Sequence, residues 1–420
     1  MFLEQDKKNT ITTDNVIPYL VGNSQRKSVP YDFHNGQEEA SVAANQHSAL
    51  LPLQSAKWYG MPLDAWVRYI VSLHFDPYNG SPYWLQKEKE AGIDARKDIL
   101  SFEDLRLIGP MEENDLRRFP LEYFIPHLYL KNKAQFILGE TAGTTGQPKV
   151  TAYLKEEFAV IFVDWFRYIA EKRGFPKKAN WLWAGPWGPH IIGKAVGPVA
   201  NSMGSMDPFS IDLDPRWLKK LAPGSLGYKR YINHIIEQTL DILQRQHIEV
   251  LYTTPPLLER LAAEMNQEQR MRIRGVHYGG VSILPEQYNN FREHLFPNAV
   301  HIAGYGNTLF GLCMELEASM NGDLEYFPPG PRMVVQCIST KDGIRPDKNR
   351  LNHIVEYGEK GQIVCHRLDE SFFIPNMFER DEAVRIAPTK TAKSLGIFQD
   401  GIKNPTLLPG LASNAKIGVY

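Results

Sequence analysis

Between two stretches of strand character the chain reads Gly139-Glu140-Thr141-Ala142-Gly143-Thr144-Thr145-Gly146-Gln147-Pro148-Lys149-Val150-Thr151. Glycine frees backbone N–H groups, threonine adds hydroxyl donors and lysine adds one ammonium, a set suited to wrapping a chain of phosphates. The candidate anion ligands are Thr141, Gly143, Thr144, Thr145, Gly146 and Lys149. A hairpin turn without a ligand would explain the glycines, but not the order Thr-Thr-Gly-x-Pro-Lys. A Walker A loop ends in Gly-Lys-Ser/Thr and runs directly into a helix whose N-terminus faces the phosphates. Here Pro148 separates Gly146 from Lys149, and Val150-Thr151-Ala152-Tyr153 continues in β-forming residues before a helix begins near Lys155. The order is strand, loop, strand, which argues against a Walker ATPase or kinase.

Such a loop needs a scaffold, and the following residues supply one. Phe158, Phe162, Trp165 and Ile169 recur at helical spacing and predict a helix from Lys155 to Arg173, stopped by Gly174. Trp181-Leu182-Trp183 reads as a short apolar strand. From Tyr231 to Gly306 helix and strand alternate. A helix to Gln246 precedes the strand Ile248–Tyr252, and Thr253-Thr254-Pro255-Pro256 then opens a helix with threonine as cap and proline in its first turn. The strand Arg274–Tyr278 is closed by Gly279-Gly280; a helix from about Pro285 leads to the strand Ala299–Ala303, closed by Gly304-Tyr305-Gly306. This alternation predicts a parallel sheet flanked by helices, in which ligands sit beyond the carboxyl ends of the strands. Thr253-Thr254, Gly279-Gly280 and Gly304-Tyr305-Gly306 would then share one crevice. After Gly330 the pattern turns to β, and Gly358-Glu359-Lys360-Gly361 reads as a hairpin turn between Val355–Tyr357 and Gln362–Cys365.

Composition bounds the rest. A chain of 420 residues with 43% hydrophobic content can bury a large core in two or three domains. Its formal net charge of −1, with Lys and Arg spread throughout, gives no reason to expect nucleic acid or an anionic membrane as a partner. Cys313, Cys337 and Cys365 form no CxxC pair and fit free thiols in a reducing, cytoplasmic setting. No run reaches membrane-spanning length, and the polar N-terminus lacks the basic-then-apolar order of a signal peptide. There is no GxSxG, no HExxH and no clustered His/Asp/Glu set, so no metal site is assigned.

The segment Thr141–Lys149 resembles, at every fixed position, the Ser/Thr-x-Gly-Thr-Thr-Gly-x-Pro-Lys signature of acyl-adenylate-forming enzymes. By order of motifs the resemblance runs from about Trp84 to Asp400, and it is to the phenylacetate–CoA ligase branch. It implies an α/β fold: a large N-terminal domain of parallel sheets flanked by helices plus a smaller β-rich subdomain. It also implies ATP and Mg2+ as cofactors, a small and probably aromatic acid as substrate, and CoA, a carrier protein or an amine or hydroxyl as acceptor. In Pro186-Trp187-Gly188-Pro189-His190-Ile191-Ile192-Gly193, similar to Pro-x-x-His-x-x-Gly, it assigns His190 to the border of the carboxylate pocket. Gly279 and Gly280 occupy the place of the strip that packs flat on adenine. In Gly304-Tyr305-Gly306-Asn307-Thr308, similar to Tyr-Gly-x-Thr-Glu, Tyr305 and Gly306 would lie near adenine and Thr308 near the α-phosphate. Asp381 is the resemblance's candidate for the ribose hydroxyls. Catalytic roles would thus fall to Lys149, Thr145, His190 and Thr308.

The chain also departs from the family. Val281 and Leu309 stand where relatives carry acidic residues, the second a magnesium ligand, and Ile397 replaces the hinge arginine of Gly-Arg-x-x-Asp in Gly396–Asp400. The expected domains are an irregular extension 1–55, an α/β core 56–325, a β-rich subdomain 326–395, and a hinge remnant with tail 396–420. That tail is too short for the small lobe that brings a catalytic lysine in relatives, leaving Lys403 and Lys416 as candidates to replace it. Trp181, Trp183, Trp187 and Tyr252 would either line an aromatic pocket or sit in the core. A homodimer is compatible with this reading. The alternative function is a nucleotide- or acyl-adenylate-binding partner subunit without full catalysis.

Overall fold

The computed structural model describes residues 56–143, 146–319, 321–409 and 411. The extension 1–55, Thr144, Thr145 and Lys416 lie outside the described residues. In chain order the strands are β1 (Phe136–Glu140), β2 (Val150–Leu154), β3 (Trp181–Gly185), β4 (Phe209–Asp212), β5 (Val250–Thr253), β6 (Gly275–Tyr278) and β7 (Val300–Asn307). They continue with β8 (Gly311–Glu315), β9 (Glu325–Phe327), β10 (Met333–Ile338), β11 (Lys360–Leu368), β12 (Phe373–Ile386) and β13 (Gly401–Leu407). β1 and β2 form an antiparallel pair that carries the threonine-rich loop at its tip. The others make one eleven-stranded sheet in the order β10-β11-β12-β13-β9-β8-β7-β6-β5-β3-β4.

The predicted alternation is realised as the parallel run β4-β3-β5-β6-β7. Its inner strands β3, β5 and β6 are short and buried along their length, as expected when helices cover both faces of a parallel sheet. The helix Leu226–Arg245 begins five residues earlier than the sequence suggests, because the Ser225 hydroxyl accepts from the backbone N–H of Tyr228 and caps it. Thr254 does stand at the N-cap of Pro255–Glu264, but its side chain makes no capping bond; the neighbouring Thr253 hydroxyl instead donates to the carbonyl of Ala184 across the sheet.

Two local expectations differ more. Gly304-Tyr305-Gly306 does not close β7; the strand continues to Asn307 and changes partner, from parallel β6 to antiparallel β8. Glycine is required at 306, where a Cβ would lie 2.0 Å from the carbonyl oxygen of Gly311. The hairpin expected around Gly358-Glu359-Lys360-Gly361 is absent too: β11 starts at Lys360 and pairs with β10 and β12, while Val355–Tyr357 is not a strand. Gly401–Leu407, inside the stretch expected to be hinge and tail, is strand β13, placed between β12 and β9. The predicted helix from Lys155 forms as one continuous run to Lys172 with a π-helical segment at Ala159–Asp164, and Gly174 (φ +70°) follows it. Phe158, Phe162, Trp165 and Ile169 are all buried. All three cysteines are free and buried.

Candidate functional site

A cleft of about 1590 Å³, counted with its open mouth, lies beyond the carboxyl ends of the parallel strands. It collects Thr141, Gly143, Lys149, His190, Gly279, Gly280, Tyr305, Gly306, Thr308 and Asp381, residues spread over more than half of the sequence. Gly146 does not line it. Trp183 and Tyr252 do, whereas Trp181 packs in the core and Trp187 against it. Lys403 is on β13 and pairs with Asp323 at 3.3 Å, so it is committed outside the cleft.

The base of the threonine-rich loop is closed reciprocally: the backbone N–H of Thr141 donates to the Lys149 carbonyl (3.0 Å), and that of Lys149 to the Thr141 hydroxyl (3.0 Å). Gly143 has φ +68°, and a Cβ there would meet the carbonyl oxygen of Gly146 at 2.6 Å, so the tight loop is available to glycine alone. The Lys149 ammonium is held 2.6 Å from Glu113. Glu113 also pairs with Arg117 at 2.8 Å, and Arg117 Nε donates to the Gln147 carbonyl. Burial alone would raise the Glu113 carboxyl, but Lys149 and Arg117 outweigh it and hold the group below its ordinary range.

Thr308 is placed by its turn. The Asn307 side-chain oxygen accepts from the N–H groups of Leu309 and Phe310, the Tyr153 hydroxyl donates to the Thr308 carbonyl (2.9 Å), and Gly139 leaves room for the Thr308 methyl group. Behind the turn, Arg367 donates to the carbonyls of Leu309 and Ala152 and to the Thr151 hydroxyl, and Arg332 to the Phe310 carbonyl. Both guanidinium groups grip the buried Asp369 at 2.6 Å. One buried ionic group therefore ties β2, the exit strand of the loop, to the turn bearing Thr308.

On β7, just before this turn, the Tyr305 hydroxyl donates to Asp381 Oδ2 at 3.0 Å. The other carboxylate oxygen, Oδ1, is buried without a partner among the described residues. Burial raises the Asp381 pKa, against the Tyr305 hydrogen bond and the charge of Arg380. Glu379, beside it in the cleft, is pushed up to about 7 by burial, with Lys149 opposing and Asp381 and Glu113 adding to the rise. His190 stands at the N-cap of the helix Ile191–Ser202, and burial, then the neighbouring Arg216, lowers its pKa. It is tied to the loop through the Glu140 N–H, which donates to the Pro189 carbonyl (2.9 Å).

Sequence reading missed several members of this site. Glu113 precedes Thr141, the first loop ligand, by 28 residues in an irregular segment, and Asn307 and Glu379 carry no motif of their own. Arg216 and Lys219 flank the loop from the short helix Pro215–Lys220: Arg216 pairs with Glu140 at 2.6 Å and Lys219 donates to the Ala142 carbonyl at 2.9 Å. Burial, then Arg380 and Arg216, pull the Lys219 ammonium down to about 8, the sign of several cations gathered beside one loop. Leu309 is buried, at 1% exposure, and offers no oxygen to a cation. Among the described residues no group of three or more His, Cys, Asp or Glu is arranged to hold a metal ion.

No protein-family model matches the chain, and no curated protein is similar to it in sequence. Solved structures do match. 2-Hydroxyisobutyryl-CoA ligase, in an open conformation with 2-HIB-AMP and CoA, superposes with a TM-score of 0.54 at 14% identity, covering 82% of this chain and 72% of the ligase. The same ligase in its postadenylation state gives 0.56 at 13% identity, covering 81% of this chain and 65% of the ligase. The likeness is one of fold: a mixed α/β architecture with a large sheet flanked by helices, shared with adenylate-forming ligases.

Proposed function

We propose that the chain activates a small carboxylic acid with ATP, forming an acyl-AMP and releasing pyrophosphate, and passes the acyl group to a thiol, amine or hydroxyl. The observation that carries this reading is the convergence in one cleft of Lys149 and the loop backbone, Thr308, His190, and Asp381 with its unpaired oxygen. The fold shared with a ligase seen with an acyl-AMP and CoA supports it, and the motif order favours the phenylacetate–CoA ligase-like branch and an aromatic acid. CoA, a carrier-protein thiol or a small amine or alcohol remain the acceptors; a homodimer and a cytoplasmic setting go with this reading.

In the activation step a carboxylate oxygen attacks the α-phosphorus, the bond to the bridging oxygen breaks, and pyrophosphate leaves with that electron pair. Two anions must approach, so neutralisation and positioning dominate the barrier. Lys149 would exchange Glu113 for the polyphosphate, while Arg117 remains to hold Glu113. The loop N–H groups, with Arg216 and Lys219 behind them, would add positive potential on one side, and Thr308 a hydroxyl at the α-phosphate. Asp381 Oδ1 would accept from a ribose hydroxyl, and Gly279-Gly280 would let adenine lie against backbone. A magnesium ion is usual with ATP, but Leu309 and the absence of a ligand cluster among the described residues do not fit a protein-held ion, and no step here uses one.

Leu309 favours one second reading, a nucleotide- or acyl-adenylate-binding partner subunit without full catalysis. Pyrophosphate release from ATP over a panel of carboxylic acids, measured with the purified chain, separates the two. Acid-dependent release is expected; ATP binding with no release from any acid would transfer support to the binding subunit.

A further inference from the structure

The inner end of the cleft is built from one row of the sheet. Trp183 on β3 is the register partner of Tyr252 on β5, and Tyr252 of His277 on β6, so the three side chains leave the same face side by side. Their rings pack at 4.7 Å and 4.3 Å between centroids. Two residues further along, on the same face, stand Gly185, Thr254 and Gly279, with Gly304 on β7. The missing side chains keep the space beyond the aromatic row open. A Cβ at Gly185 would lie 2.5 Å from Trp183 Cη2 and Cζ2, and one at Gly304 3.6 Å from His277 Cε1. Indole and imidazole therefore lean toward the carboxyl ends of their strands, the end at which the cleft opens, and all three residues line it.

Each of the three carries a polar atom that the protein does not satisfy. Trp183 Nε1 is buried and makes no hydrogen bond, and the Tyr252 hydroxyl also has no partner among the described residues. His277 Nδ1 lies 2.8 Å from the carbonyl oxygen of Ile302. A carbonyl only accepts, so Nδ1 bears the proton and Nε2 presents a lone pair. Burial holds the ring neutral, its pKa lowered to about 4. The row thus offers a donor, a donor-acceptor and an acceptor, amid apolar neighbours such as Phe162, Ile191 and Leu312. A buried polar group left unpaired costs free energy; Trp183 Nε1 is such a group, and with the unpaired Tyr252 hydroxyl and His277 Nε2 beside it in a ligand cleft the row matches a ligand that pairs with them.

Building on the acid-activating reading, we infer that the substrate acid carries a hydroxyl group on its body, bound by Trp183, Tyr252 and His277 while its carboxylate faces the loop. A hydroxyl donates to His277 Nε2 and accepts from Trp183 Nε1 or Tyr252, which a bare hydrocarbon cannot do. A site built to hydrogen-bond a substrate hydroxyl rejects the analogue lacking it far more strongly than an apolar pocket rejects a change of size.

The test measures pyrophosphate release with benzoate and its ortho, meta and para hydroxy derivatives, and with cyclohexanecarboxylate and its para hydroxy counterpart, alongside calorimetric binding of ATP. At least one hydroxy acid should exceed its parent by about 100-fold or more in kcat/KM. Tyr252→Phe and His277→Phe should each reduce that ratio to about tenfold or less while leaving the KM for ATP unchanged. Tyr252→Phe keeps the ring and its packing, so it remains informative if His277→Phe misfolds. ATP-dependent release in which parent acids do as well, or a ratio that survives both substitutions, would overturn the inference and leave the acid-activating reading standing; ATP binding with no acid used would overturn both in favour of the binding subunit. Failure to bind ATP would instead overturn the acid-activating reading and this inference with it.

Discussion

Lys149 and Asp381 are the two side chains whose surroundings make the sharpest statements about ligand. Lys149 leaves behind a carboxylate that Arg117 still holds, so Lys149→Ala should cost little in Tm. It should weaken ATP by about 1.5–3 kcal/mol, the range of a charge-assisted contact, or tenfold to over a hundredfold in Kd; calorimetry checks both. Asp381→Asn keeps an oxygen for the Tyr305 hydroxyl, and should raise the KM for ATP much more than that for the acid; equal losses would mark the residue as structural. Glu379 makes a statement about pH. Its folded pKa, about 7, lies above that of an unfolded glutamate. The native state therefore binds the proton more tightly, and stability declines as pH rises from the unfolded pKa toward 7, by at most about 3 kcal/mol. Glu379→Gln should be stabilising at pH 8 and nearly neutral at pH 4, read from thermal unfolding at both. Lys149, Thr308 and Asp381, which line the cleft, were legible because each stands in a run of motif residues. Glu113 and Glu379, which line the cleft, and Lys219, which backs the loop, were not, since each comes to the site only through the fold.

Elements place these residues through glycines, and two of them separate loop from scaffold. At Gly143 a side chain would collide within the loop itself, whereas at Gly306 it would strike the Gly311 carbonyl across β7 and β8 in the middle of the sheet. Gly143→Ala should therefore abolish ATP binding with a Tm close to that of the parent, and Gly306→Ala should lower Tm strongly or prevent soluble expression. Equal effects of the two on Tm would mean the loop is part of the folding core. Helix–strand alternation from 231 to 303 could be read from apolar runs, caps and prolines because it is a local signal. The change of partner along β7 could not, since glycines that permit close strand approach look in sequence like glycines that end a strand. The hairpin expected at 358–361 failed for a related reason: β11 takes its register from β10, which ends at Ile338, and from β12, and not from Val355–Tyr357 just before the turn.

Across the whole molecule, loop, turn and sheet meet at the buried group of Arg332, Asp369 and Arg367. Nothing in the sequence announces it, because an arginine or aspartate is ordinarily exposed and only the packed fold shows these at 0–2% exposure. Burial alone would raise the Asp369 carboxyl, but the two arginines outweigh it and hold the group below its ordinary range. Arg367 also stacks on the Tyr153 ring at 3.6 Å and satisfies three oxygens from β2 and the Leu309 turn. Removing one partner from such a group typically costs about 3–5 kcal/mol, chiefly by leaving buried polar atoms unpaired. Arg367→Met should lose stability on that scale, and because Leu309 follows Thr308 directly, kcat for pyrophosphate release should fall even at temperatures where the variant is folded. Arg367→Lys keeps the charge but lacks the planar fork that reaches Asp369, Thr151 and two carbonyls together, so it should rescue little of either. Arg332→Met reaches the turn only through the Phe310 carbonyl; it should match Arg367→Met in Tm while sparing more of kcat. Equal loss of kcat in the two variants, measured below both melting transitions, would show that the group supports the fold as a whole and has no particular hold on Thr308.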